Sequence, residues 1–197
     1  YNLKAPIYSY IRMLRISYEV IKSVDPSAYV APGGLGFASF LDLILRTTDN
    51  PVDGSVTAQY PLKGGAYFDA MSFHGYPHFK LQSWSNDIGG FVYRRHSDAA
   101  VEEYIRVKKE FDDVLNARGY NGITYPKKIT ICTENNISRK AIENWVGGED
   151  VAKNYMIKTA IESQKNDIVQ NYMFVMGDDK YDWEATDPFQ LMGMYKK

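Results

Sequence analysis

The stretch Lys127-Lys128-Ile129-Thr130-Ile131-Cys132-Thr133-Glu134-Asn135-Asn136 decides how this chain is read. Its apolar run, Ile129 to Cys132, is too short for a helix and has the composition of a strand buried in a parallel sheet. The run stops at Thr133-Glu134, and polar, turn-forming residues follow. A carboxylate at the carboxyl end of a buried parallel strand stands where α/β barrels keep their chemistry. The same residue also suits a plain strand cap or an ion pair with a nearby lysine, and spacing alone leaves both readings open.

Outward from that strand, helices and strands alternate. Residues 6 to 23 form an amphipathic helix, with Pro6 at a plausible first position and Ile7, Tyr10, Ile11, Leu14, Tyr18 and Ile21 at helical spacing. Asp25-Pro26 ends it, because a residue before proline is pushed out of the helical region. Ala28 to Ala31 reads as a short strand closed by Pro32-Gly33-Gly34. Phe37, Phe40, Leu41, Ile44 and Leu45 mark a second helix, and residues 46 to 66 are irregular. Tyr67 to Phe73 is the next strand, with His74-Gly75-Tyr76-Pro77 at its carboxyl end. A long loop over about 75 to 97 has the length of a lid or binding loop.

The helix over 98 to 118 has Asp98 as N-cap and Gly119 as terminator. After the Glu134 strand come a helix near 149 to 165 and a last strand, Tyr172 to Met176, followed by Gly177-Asp178-Asp179. The segment Asp187 to Tyr195 is loop-like and apolar. Four strands alternating with helices imply a parallel sheet with right-handed crossovers. A four-stranded open sheet and half of an eight-stranded barrel both satisfy that order.

The chain has 197 residues, enough for one domain over 1–197 with a sizeable core. A net charge of −1 argues against nucleic acid held on a basic face and against an acidic solvating tail. The 16 tyrosines outnumber the 9 Phe and 3 Trp together, and such amphipathic rings suit sugar-facing surfaces as well as ordinary cores. The single cysteine, Cys132, excludes an internal disulfide and a zinc cluster, and its place in the apolar strand makes it an inert core residue. No stretch reaches the roughly eighteen apolar residues of a membrane span. The chain starts at Tyr1 without Met, the pattern of a mature or trimmed product, and a secreted or periplasmic location is favoured.

Three phrases at strand ends carry a family resemblance. They are Lys22-Ser23-Val24-Asp25-Pro26 followed by Tyr29-Val30-Ala31-Pro32-Gly33-Gly34, then Asp69-Ala70-Met71-Ser72-Phe73-His74-Gly75-Tyr76, and then Thr133-Glu134. In this order the chain resembles the large clan of retaining glycoside hydrolases with a (β/α)8 TIM barrel, which includes cellulase-like and β-xylosidase-like enzymes. The resemblance maps the four strands onto the fifth to eighth of the barrel, so the chain is expected to be about its second half.

The resemblance implies that Glu134 is the catalytic nucleophile, attacking the anomeric carbon to form a glycosyl-enzyme intermediate. It implies that Tyr76 hydrogen-bonds Glu134 and keeps it charged and aimed. His74 is then expected to bind substrate hydroxyls or orient the site, although a His-x-Tyr at a strand end is also compatible with a satisfied core pair. Members of the clan often place a Trp after the last strand; this chain has Met176-Gly177-Asp178-Asp179 there. Trp183, Trp84 or Trp145 is expected to replace that platform, and Asp178 and Asp179 to bind sugar hydroxyls or form a solvated turn.

The clan's acid/base carboxylate follows an Asn on the fourth strand, which this reading places before Tyr1. Retaining chemistry needs two carboxyl groups roughly 5–5.5 Å apart, so a missing amino-terminal half-barrel segment is expected to supply the second. An open half-barrel also exposes two strand edges, an aggregation liability that such a segment removes. The mechanism requires no metal or organic cofactor. His74 and His78 are a poor metal pair, since Pro77 between them breaks any helical turn and no third ligand is near. Gly33, Gly34 and Gly36 lack the rest of a phosphate-loop pattern. Arg94-Arg95-His96 reads as a solvated loop or a contact for an acidic sugar. The expected activity is glycosidic-bond hydrolysis on a poly- or oligosaccharide; the alternative is a non-catalytic carbohydrate-binding or scaffolding protein on the same barrel.

Overall fold

In the computed structural model, which describes residues 4–197, the first helix runs from Ile7 to Val24 (α1). Pro6 is its N-cap rather than its first turn, and the Asp25 N–H closes the helix on the Ile21 carbonyl at 2.8 Å. The second helix, α2, covers Ala38–Arg46 and buries Leu41, Ile44 and Leu45. The chain divides into two units: residues up to Phe73 with Glu110–Thr130, and His74–Lys109 with Ile131–Lys197.

In the first unit, strand β1 (Ala70–His74) begins three residues later than the apolar pattern suggests, because Gly64–Tyr67 forms a 3-10 turn. The Ala28–Ala31 stretch does not form a strand of its own. It runs extended beside β1, with the Val30 carbonyl accepting from the Asp69 and Ala70 N–H groups and Leu35 bridging Phe73 in parallel. Asp69 fixes that alignment by accepting from Val30 N–H at 2.9 Å and pairing with Lys22 at 2.9 Å. Partial burial raises the Asp69 pKa, but the Lys22, Val30 and Tyr18 hydrogen bonds outweigh it and hold the carboxylate below its ordinary value. The core of this unit contains Ile11, Leu14, Phe68, Met71, Phe73 and Phe111, all buried. Phe73 and Phe111 meet at 5.6 Å between ring centres, and each such burial contributes about 1.5–3 kcal/mol.

Helix α3 (Ser97–Ala117) begins one residue earlier than its expected cap. The His96 ring, not Asp98, caps it, with Nδ1 accepting from the Ala99 N–H at 3.1 Å. Asp98 sits in the first turn and pairs with Lys158 of helix α4 (Glu149–Lys165) at 2.5 Å. The 75–97 stretch is not a structureless loop. It holds a 3-10 turn at Pro77–Lys80 and an antiparallel hairpin, β2 (Gln82–Ser85) with β3 (Gly90–Tyr93). Gly89, at φ +60°, supplies the left-handed turn residue that a side chain would resist.

Strand β4 (Ile129–Asn135) is three residues longer than its apolar run. Strand β5 covers Ile168–Met173, four residues ahead of the expected Tyr172–Met176. It lies at the edge of the β1-β4-β5 sheet and its side chains are largely exposed, so it carries no apolar run to read. Ile129 N–H meets the Asp69 carbonyl and Gly75 N–H meets the Glu134 carbonyl, so β1 and β4 run in the same direction. Among the described residues the parallel strands form an open row in the order β1-β4-β5 and do not close a barrel. Among the described residues, no helix is long and apolar enough to cross a membrane.

Candidate active site

Glu134 is the penultimate residue of β4, and the strand delivers it with its backbone fixed by the Gly75 N–H at 2.8 Å. Cys132, two residues back, is fully buried. Burial pushes its thiol up to about 11, against smaller downward pulls from hydrogen bonds, so it stays protonated as a packing residue at neutral pH. The Glu134 side chain is 38% exposed, which leaves a carboxylate open to a ligand.

Tyr76 and His74 converge on that carboxylate. The Tyr76 hydroxyl donates to Glu134 Oε2 at 2.9 Å, and His74 Nδ1 lies 3.4 Å from the same oxygen. Both contacts fall on Oε2, so Oε1 is the oxygen that neither group occupies. The sequence-level trio Glu134, Tyr76 and His74 is thus one cluster.

Tyr76 is held on several sides. Phe189 packs edge-on at 4.8 Å, Phe174 at 6.0 Å and the His78 ring at 5.9 Å. Fully buried Tyr155 donates to the Gly75 carbonyl at 3.5 Å, beneath the same turn. His78 is itself buried, 4.0 Å from Phe79 and 5.6 Å from Trp145, with neither ring nitrogen hydrogen-bonded among the described residues. Burial draws its pKa down to about 4, so the ring is neutral over most of the pH range. Trp145 is therefore a member of this aromatic cluster.

The other sequence-level candidates stand elsewhere. Asp178 does not present a free carboxylate for sugar hydroxyls. It is buried, one oxygen pairs with Arg139 at 2.5 Å, and the other accepts from Gly193 N–H at 2.8 Å. Arg139 also pairs with Asp182, which raises the guanidinium pKa against the pull of burial. Trp183 is 78% exposed and stacks on Tyr181 at 4.7 Å. Trp84 is exposed on the β2–β3 hairpin, edge-on to Phe91, with Nε1 donating to Asn86.

Sequence reading overlooked three groups, two that adjoin the site and one that holds Asp178. Asn136 spends its amide on the Phe174 and Met192 carbonyls, both at 2.7 Å, and its oxygen accepts from Ile137 N–H. Phe189 belongs to a 3-10 turn, Pro188–Leu191, closed by a capping box between Asp187 and Gln190. The Asp-Pro-x-Gln phrase in the apolar tail was the available signal for that turn. Arg139 is the third, and nothing local in its sequence marks its two carboxylate partners.

No protein-family model matches the chain, and no curated protein matches it. Its fold is shared by solved structures. An active-site mutant of Rhizomucor miehei beta-1,3-glucanosyltransferase, in complex with laminaritriose, superposes with a TM-score of 0.60 at 9% identity over 99% of this chain and 55% of that one. The glycoside hydrolase family 17 beta-1,3-glucanosyltransferase from the same organism gives 0.58 at 11% identity, over 98% and 55%. The chain spans about half the length of these proteins. At such identities the likeness is one of fold: a mixed α/β chain with a parallel sheet, matching about half of TIM-barrel-like glycoside hydrolase family 17 structures.

Proposed function

We propose that this chain carries the nucleophile half of a retaining glycoside-processing site, with Glu134 attacking the anomeric carbon of a β-glucan. The observation that carries the reading is the convergence of Tyr76 and His74 on one oxygen of a half-exposed carboxylate at the end of a parallel strand. The fold likeness to two beta-1,3-glucanosyltransferase structures, one solved with laminaritriose, supports a β-1,3-linked glucan as the first substrate to try. Attack through Oε1 forms the glycosyl ester while the leaving group takes a proton from an acid. Water then hydrolyses the ester, or a second sugar hydroxyl accepts the glycosyl group.

Among the described residues, the contacts of Glu134 include no second carboxyl group. We place the acid/base residue on a polypeptide segment outside these 197 residues, a reading supported by the open row of strands and by matches that cover 55% of each neighbour. That one-carboxylate site also favours the second reading, a carbohydrate-binding protein that forms no ester.

A 2-deoxy-2-fluoroglucosyl fluoride separates the two, because fluoride departs without an acid. Peptide mapping is expected to find a fluoroglucosyl adduct on Glu134, absent in Glu134→Gln. Binding of laminaritriose with no adduct under saturating reagent would establish the binder and end the nucleophile assignment.

A further inference from the structure

We infer that the first unit holds a second ligand site, for a small organic anion that carries a ring, in a cavity walled by Tyr120, Tyr125 and Lys128. The cavity measures about 800 Å³ and is also lined by Gly65, Lys63 and Arg118. Its wall is built tightly: a methyl group on Gly65 would fall 1.9 Å from the Tyr120 hydroxyl, so only glycine lets that ring close the floor. Tyr120 and Tyr125 lie 5.1 Å apart with their planes 33° from parallel, giving an aromatic surface of two rings.

The charges around this cavity are of one sign. Three cationic residues line it and no carboxylate does. Arg118 is already matched, donating to Asp42 at 2.8 Å. Lys63 and Lys128 form no ion pair among the described residues. Lys128 is half-buried, its ammonium donating to the Phe68 carbonyl at 2.6 Å and lying over the Phe68 and Tyr120 rings at 4.7 and 4.8 Å. Carbonyl and ring faces stabilise an ammonium without neutralising it. Burial draws Lys128 below the ordinary lysine value, against a smaller upward pull from Asp69, which is itself committed to Lys22.

An acid group placed between Lys128 and Lys63 would restore the missing countercharge by charge-assisted hydrogen bonds. The remaining apolar and aromatic wall fits a ring better than a bare inorganic ion. This assignment does not depend on the chemistry at Glu134: Lys128 immediately precedes β4, whereas Glu134 is the strand's penultimate residue.

The test is a titration of the whole chain with benzoate, inorganic phosphate and benzyl alcohol, followed by amide and tyrosine NMR shifts. Benzoate is expected to saturate, with shifts centred on Gly65, Tyr120 and Tyr125, and to bind at least tenfold tighter than either phosphate or benzyl alcohol. Lys128→Met is expected to weaken benzoate at least tenfold. Lys63→Met, on the exposed rim and without consequence for folding, is expected to weaken it threefold or more. Linear, unsaturated shifts spread over the surface lysines, or equal affinity in the Lys63→Met protein and the parent, would overturn the site.

Discussion

The Tyr76 hydroxyl donates to Oε2 of Glu134 at 2.9 Å, across 58 residues of sequence. That bond sets the orientation of the carboxylate. A hydrogen bond to a charged group contributes about 1.5–3 kcal/mol. Tyr76→Phe is therefore expected to slow formation of the fluoroglucosyl ester by about 10- to 100-fold, the same energy expressed as a rate. The change should fall on the rate and leave laminaritriose affinity within a factor of about three. An unchanged rate of labelling would remove Tyr76 from the site.

Arg139 and Asp178 form a buried pair, with side-chain exposures of 9% and 0%. Arg139→Met leaves the Asp178 carboxylate with only the Gly193 N–H as partner, and breaking a buried pair from one side costs about 3–5 kcal/mol. Urea unfolding should show that loss, and Arg139→Met with Asp178→Leu should recover most of it. A single variant as stable as the parent would mean that the pair contributes nothing to the fold.

Four segments and their order were legible because their signals are local. The helices α1, α2 and α3 announced themselves by apolar spacing, α4 was placed between the Glu134 strand and the last strand, and all four came within about two residues of their ends. The place of Glu134 near the carboxyl end of β4 was legible because the apolar run before it marks a buried strand. Strand β5 was displaced because an edge strand exposes its side chains and leaves the stronger apolar signal, Met173 to Met176, to the segment after it. The Arg139–Asp178 pair and the packing of Phe189 on Tyr76 join residues 39 and 113 positions apart, and no periodicity records such distances. Asp178 shows the same limit: beside Asp179 it looks like a solvated turn, and only the folded chain brings the Arg139 guanidinium to it.

Trp84 and Trp183 separate by their neighbours. Trp84 is in register with Phe91 across the hairpin, a cross-strand pair of about 0.2–1 kcal/mol, whereas Trp183 is 78% exposed and, among the described residues, stacks on Tyr181 alone. Trp183→Ala is expected to change stability by less than about 0.5 kcal/mol and, as a sugar platform, to raise the laminaritriose Kd at least fivefold. Calorimetric titration checks both variants. If Trp183→Ala leaves sugar affinity unchanged while Trp84→Ala lowers it, the platform belongs to the hairpin.

His78 gives the site an acid limit whose sign follows from its burial. In the folded chain its pKa is lowered to about 4 from an ordinary 6.5, because burial among Tyr76, Phe79, Trp145 and Phe189 penalises the charged ring; among the described residues no polar group meets either nitrogen. The unfolded chain takes up the proton first as pH falls. The neutral ring's contribution is thus fully present above about 6.5 and is lost between there and about 4, amounting to roughly 3 kcal/mol at the acid end. His78→Phe removes the titration, keeps the ring contacts and leaves no buried nitrogen unsatisfied. Denaturant midpoints at pH 7, 5.5 and 4 should fall less steeply for the variant than for the parent. Because His78 packs on Tyr76, the variant should also keep ester formation at Glu134 active to lower pH. Parallel stability curves for the two proteins would show that the imidazole is already hydrated or paired in solution, and the acid limit would then have to come from the carboxylates.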